Sequence, residues 1–296
     1  MKAYEKTLKR EMINCLNDLY EEKGSWWQTI VDDDKVFILV RGNHLRVLVH
    51  GGLLSMITIS TGKIVCKTHE EYLNLRSEAD PYVTISENKT GKPKRVEGLK
   101  DFVKHYNKIK RRIKQFVDKE RQYCHTMSLN IKEIVEKEVG LVLEKNEAVA
   151  KNKAQFVDLQ AVSDEGKMVF VEVKLFGNPE IRSMKIPSVV NQLRKYEGII
   201  KSDKQKILKA YAEQCETYSK LNGAFFKKKL PDPSKIQIIP TVRLIITDFD
   251  GGQLKVLLPR IRENIEKGMG WETNSNNLIM IGNPDSVNAG HIFKGI

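Results

Sequence analysis

Apolar positions in the first part of the chain recur at helical spacing and then switch to short continuous runs. Leu8, Met12, Cys15, Leu16 and Leu19 lie three to four residues apart, which predicts an amphipathic helix over residues 3–22. After Gly24 and the pair Trp26-Trp27, the runs Lys35–Val40, His44–His50, Leu53–Ile59 and Lys63–Cys66 read as strands. Gly42-Asn43 and Gly51-Gly52 supply the hairpin turns between them. The expectation is a small antiparallel meander with a helix on one face. A short helix at 69–75, a strand after Pro81 and a polar Gly/Lys/Pro loop at 86–93 follow, and a long basic helix is predicted from Gly98 to Arg121.

The second half alternates helix and strand, the mark of an α/β layer architecture. Ile131, Ile134 and Val135 define the apolar face of a helix predicted from Ser128 to Gly140, with a strand at 141–144. Gln155–Val162 and Met168–Leu175 are stronger strands, joined across the turn sequence Ser163-Asp164-Glu165-Gly166. Pro187 stands at the first position of a helix reaching Ile200, and a second helix covers 204–221. A strand at 242–247, a helix at 254–267 and a strand at 278–281 complete the pattern. The predicted organisation is an α+β accessory domain at 1–96, a basic connecting helix at 97–125, and an α/β domain at 126–296 whose mixed sheet is flanked by helices.

Composition places the chain among ordinary globular proteins: 296 residues, 41% hydrophobic and 30% charged, which excludes a disordered or collagen-like chain. Charge adds more. Lys and Arg number 50 against 38 Asp and Glu, a net charge of +12, so a polyanionic partner is expected. Between Gly91 and Arg121 there are twelve basic residues and four acidic ones. Lys110, Arg111, Arg112 and Lys114 in that stretch, with Arg182 in the loop after the second strong strand, are the expected nucleic-acid contacts. Lys2, Glu5, Lys6, Lys9, Arg10 and Glu11 interrupt any secretory leader, and the longest uncharged stretch, 47–62, is too short to span a bilayer. A cytoplasmic protein with no membrane partner is expected. The four cysteines lie far apart with no C-x-x-C pair, which suits isolated thiols rather than disulfides or a zinc site.

Candidate chemistry concentrates in the two strong strands. In Glu172-Val173-Lys174 the period of two turns both ionisable side chains to one face of an otherwise apolar strand. Leaving such groups unpaired in a core is costly, which points to a site. The short hairpin lets Asp158 on the neighbouring strand approach Glu172, and converging carboxylates suit a hard divalent ion. On the following helix, Gln192 and Tyr196 lie one turn apart on one face. This order of an acidic strand residue, E-x-K on the next strand, and Q-x-x-x-Y on the next helix resembles the PD-(D/E)XK nuclease superfamily, in its RecB-type branch. Two features depart from that pattern: no Pro precedes Asp158, and Gln155 stands where a Gly is common.

The resemblance implies a restriction-endonuclease-like fold and a metal-dependent deoxyribonuclease, an endonuclease or an exonuclease. It implies that Asp158, Glu172 and the carbonyl of Val173 hold Mg²⁺, with Mn²⁺ able to replace it. Lys174 orients or deprotonates the attacking water, and Gln192 and Tyr196 position metal-bound water or the DNA backbone. Many members add a Glu from the first helix, for which Glu138 is the candidate. A double-strand cut would need two active sites, as in a homodimer. The competing reading is a noncatalytic nucleic-acid- or partner-binding module that keeps the fold. Asp248-Phe249-Asp250-Gly251 resembles the nucleophile motif of haloacid-dehalogenase-type phosphatases, but too little chain follows to supply the remaining ligands, so an Asp/Gly turn closing a strand is the preferred reading. Trp26 and Trp27 are read as local core rather than base-stacking residues.

Overall fold

The computed structural model describes residues 4–69, 72, 82–85, 104–141, 155–183 and 185–296. The predicted loop at 86–93 lies outside the described residues. So do most of the predicted helix at 69–75, the start of the basic helix and the predicted strand beyond Leu141. The chain divides into two compact units, one formed by residues 1–125 and 209–230, the other by 126–208 and 231–296.

In the first unit, helix α1 (Arg10–Glu21) buries Met12, Ile13 and Leu16. Helix α2 (Trp26–Val31) starts at Ser25, whose hydroxyl accepts from the Gln28 N–H at 3.1 Å. Trp26 and Trp27 are both buried in the unit's core, as expected. Strands β1 (Val36–Val40), β2 (Leu45–Val49), β3 (Gly52–Ser60), β4 (Lys63–His69) and β5 (Tyr82–Ile85) form an antiparallel sheet in sequence order. The β2–β3 turn uses left-handed backbone at His50 and Gly51. A Cβ on Gly51 would lie 2.3 Å from the Arg121 carbonyl oxygen, and one on Gly52 would lie 2.4 Å from Ile113 Cγ2. The glycine pair is therefore a seat for the chain that follows the meander as well as a turn.

That chain is not one long basic helix. It forms α3 (Tyr106–Phe116) and α4 (Lys119–Asn130), interrupted at Val117-Asp118. Helix α3 is amphipathic and buries Tyr106, Ile109, Lys110 and Ile113. Lys110, expected to bind nucleic acid, is instead part of the interior: it is ion-paired with Asp33, and its ammonium lies 4.9 Å from the centroid of the Tyr106 ring. The Tyr106 hydroxyl donates to the same carboxylate at 2.9 Å. The chain then returns to this unit at 209–230, a stretch expected in the second domain. Tyr218, Leu221 and Phe226 join the same core, and the Tyr218 hydroxyl donates to the Ile38 carbonyl at 2.9 Å.

The second unit is built on a mixed sheet of β6 (Ile134–Leu141), β7 (Gln155–Val162), β8 (Lys167–Leu175), β10 (Arg243–Thr247) and β11 (Leu278–Met280), in the order β11-β10-β8-β7-β6. Strands β6, β7 and β8 pair antiparallel, while β8, β10 and β11 are parallel. A two-residue strand, β9 (Gln237–Ile238), adds parallel pairing at the start of β8. Central β8 is buried on both faces, which explains its almost unbroken apolar run. Helix α5 (Ser188–Ser202) connects β8 towards β10 and buries Val189, Val190, Leu193, Tyr196, Ile199 and Ile200. Helix α6 (Lys204–Ser219) begins in this unit and belongs from residue 209 to the first, and helices α7 (Gly251–Val256) and α8 (Leu258–Met269) complete the second.

The predicted helix from Ser128 to Gly140 is corrected. Helix α4 ends at Asn130, and residues 134–141 are a strand paired to β7. The apolar spacing of Ile131, Ile134 and Val135 fits a helix face, but seven of the eight residues of β6 are buried, so periodicity carries no information there. The Asp/Gly turn reading after β10 holds: the Asp250 carboxylate accepts from the Gln253 N–H at 2.8 Å and caps α7.

Candidate active site

The register of the β7–β8 hairpin decides which side chains meet. Gln160 lies opposite Phe170, so Asp158, Glu172 and Lys174 fall on the same face of the sheet. Ladder pairing between these strands stops at Leu159 and Val171. Beyond it the Asp158 carboxylate replaces the missing neighbour, with Oδ2 accepting from the Val173 N–H at 2.8 Å. In an extended strand a residue's N–H and C=O project to the same side, so the Val173 carbonyl also faces this gap. The two strands thus part at a carboxylate, where the Asp158 oxygens and the Val173 carbonyl come together.

Glu172 and Lys174 are almost wholly buried, at 2% and 6% exposure. Their side chains pair, with Lys174 Nζ 2.8 Å from Glu172 Oε1. The same ammonium lies 2.8 Å from Glu180 Oε2. A charged lysine this deep is tolerable because two carboxylates flank it.

Helix α5 supplies the next contributors. The Tyr196 hydroxyl donates to the Phe156 carbonyl on β7 and accepts from Gln192 Nε2, both at 2.6 Å. Burial pushes the Tyr196 phenol above its ordinary value, and the charges of Glu172 and Asp158 push it further. The hydrogen bond to Phe156 ties the Q-x-x-x-Y pair to the hairpin. With its hydroxyl committed to a carbonyl and to Gln192, Tyr196 can fix the amide in place but is poorly set up to transfer protons. Gln192 Oε1 is buried with no hydrogen-bond partner among the described residues. A buried amide oxygen in that condition lacks a donor, which a bound water or ligand would supply.

Glu138 lies on a strand and not on the predicted helix. It belongs to β6, where the pairs Lys137–Leu159 and Val139–Val157 put it level with Asp158, and its φ is 48°. The left-handed backbone marks an irregularity in the strand at that point. No group of three or more His, Cys, Asp or Glu side chains that could hold a metal ion is found among the described residues. Asp158, Glu172 and the Val173 carbonyl offer the oxygen atoms here that could hold a metal ion. Such a set suits Mg²⁺, an oxygen-seeking ion that keeps several waters and needs no full protein cage.

Of the expected nucleic-acid contacts, Arg111 and Lys114 are exposed on α3, Arg112 is half-buried, and Lys110 is withdrawn into the interior. Arg182 is exposed beyond β8, its Nε donating to the Phe176 carbonyl at 2.9 Å and its guanidinium 4.6 Å from that ring's centroid. Glu180 is absent from the residues expected at the site, because no spacing rule links a residue six positions beyond Lys174 to it. The available signal is Asn178-Pro179, which marks a tight turn directly after the strand. No helix of the described residues is long and apolar enough to cross a membrane. Compared with protein-family models, curated proteins and solved structures, the chain has no match.

Proposed function

We propose that the protein is a Mg²⁺-dependent nuclease that hydrolyses phosphodiester bonds in DNA, with residues 126–208 and 231–296 forming a restriction-endonuclease-like unit. The observation that carries this reading is that Asp158, Glu172 and Lys174 share one sheet face, while Tyr196 of α5, hydrogen-bonded to Gln192, donates to the Phe156 carbonyl on the Asp158 strand. The order of a β-hairpin bearing an acid and E-x-K, then a helix packed on the sheet, agrees with the family pattern that the motifs resemble.

In this reading Asp158, Glu172 and the Val173 carbonyl hold the ion, which when bound polarises the scissile phosphodiester and lowers the pKa of a water. Lys174 orients that water and offsets the negative charge developing on phosphate. Gln192 presents its buried oxygen to water at the site, and Tyr196 braces the amide against the Phe156 carbonyl. Arg182 and the exposed basic residues of α3 would contact phosphates.

Incubation with circular and linear DNA in Mg²⁺ tests the reading and shows whether ends are required. Wild-type cleavage is expected, and Lys174→Ala should reduce it at least about 100-fold with unchanged folding by circular dichroism. Cleavage by the variant at the wild-type rate would remove Lys174 from the site. The Glu172–Lys174 ion pair at 2.8 Å favours the rival reading of an inert module that keeps the fold. That module would bind DNA without cutting it in the same assay.

A further inference from the structure

Glu180 is not part of the motif that the sequence displays, yet it is held as carefully as the residues that are. Strand β8 ends at Leu175, and the chain turns at once: the Asn178 N–H donates to the Leu175 carbonyl at 2.9 Å. Asn178 then caps a single 3₁₀ turn, Pro179–Ile181, its side-chain oxygen accepting from the Glu180 N–H at 2.9 Å. Ile181 is fully buried and anchors the turn. On the strand side, the Phe176 N–H donates to the Thr247 carbonyl at 2.7 Å, and Arg182 returns to the Phe176 carbonyl and ring. The turn is thus fastened to β8, to β10 and to the core, and it carries Glu180 back over the Lys174 ammonium.

Glu172 and Glu180 are not equivalent at that ammonium. The Glu172 side chain is 3% exposed and lies in the metal-binding set, whereas the Glu180 side chain is 45% exposed and follows the strand. An ion held by Glu172 would draw on the charge that balances Lys174, and would put a dication close to an ammonium. Glu180, at 2.8 Å from the ammonium and outside that set, is a carboxylate that can keep it in place. Its Oε2 lies 2.8 Å from Nζ without meeting hydrogen-bond geometry, a contact that can tighten when Glu172 turns to another partner.

We infer that Glu180 is a positioning residue of the same site, which anchors the Lys174 ammonium for water attack when Glu172 is engaged by a divalent ion. The inference rests on the nuclease reading above, because it assigns Lys174 a task only in that reaction. It makes Glu180 a partner of the lysine and not a further metal ligand.

The test compares the full-length wild type with Glu180→Gln and Glu180→Asp in DNA cleavage, and measures Mg²⁺ binding to each protein by calorimetry without DNA. Glu180→Gln keeps the shape of a partly exposed side chain and should leave the thermal midpoint nearly unchanged. The expected result is a kcat lowered about 10- to 100-fold, with KM for DNA and Kd for Mg²⁺ within about twofold of wild type, and partial recovery of kcat in Glu180→Asp. An unchanged kcat in Glu180→Gln would overturn the inference and leave the nuclease reading standing. A Mg²⁺ affinity weakened about tenfold would also overturn it, by making Glu180 a ligand. A wild type that binds Mg²⁺ but cleaves neither linear nor circular DNA would overturn both.

Discussion

Lys110 and Lys174 carry the same side chain in two settings, and their surroundings give them different work. Lys110 sits against Asp33 and Tyr106 inside the first unit. Burial alone would raise the Asp33 carboxyl, but hydrogen bonds from Lys110, the Lys35 N–H and Tyr106 outweigh it and hold the group below its ordinary range. A carboxylate depressed on folding contributes stability that is complete above its unfolded pKa and is lost as the pH falls through the folded one. Thermal stability should therefore decline below about pH 4, and Asp33→Asn should remove that part of the acid sensitivity. Lys110→Ala, which strands Asp33, is expected to cost about 3 kcal/mol in denaturant unfolding. An acid response identical in wild type and Asp33→Asn would show that the pair is not a stabilising contact. Lys174, by contrast, lies between Glu172 and Glu180 where the β7–β8 pairing has ended, and the proposed reaction would give its ammonium a task there.

At the scale of elements, the hairpin's glycines and the strand that resembles a helix teach opposite lessons. Gly51-Gly52 is legible as a turn, but its second task, admitting α3 and the start of α4, depends on chain about sixty to seventy residues away. Gly52→Ala would press a methyl group against Ile113 and Val117 and should cost about 1–3 kcal/mol by chemical denaturation. An unchanged midpoint would mean that α3 is not seated on the hairpin. Strand β6 misleads because its residues are buried on both faces, so apolar positions no longer report a period. The alternating polar pair on β8 has no such ambiguity. Buried charge at Glu172 and Lys174 stands out against an apolar strand, and the candidate site is readable for that reason.

For the whole molecule, the net charge of +12 narrows to the basic residues that remain exposed, since part of the basic stretch is structural. Replacing Arg111 and Lys114 by Ala should weaken DNA binding and reduce the slope of log affinity against log salt by about 0.9 for each phosphate that is no longer neutralised. A slope equal to wild type would make these residues a solvated face only. Lys110 has no place in that variant, because its removal would report on folding. The chain passes from the first unit to the second at 125/126, and residues 209–230 cross back to the first. Nothing local announces that return, because Tyr218, Leu221 and Phe226 are apolar in either setting. Sequence by itself determined the meander, the β7–β8 hairpin, the E-x-K strand and the Q-x-x-x-Y helix, because period, turn chemistry and the cost of buried charge are local properties. Tertiary structure decided that 134–141 is a strand, that Lys110 is interior and that Glu180 reaches Lys174. Each of those depends on which distant chain supplies the neighbouring surface or counter-charge, and no local pattern encodes it.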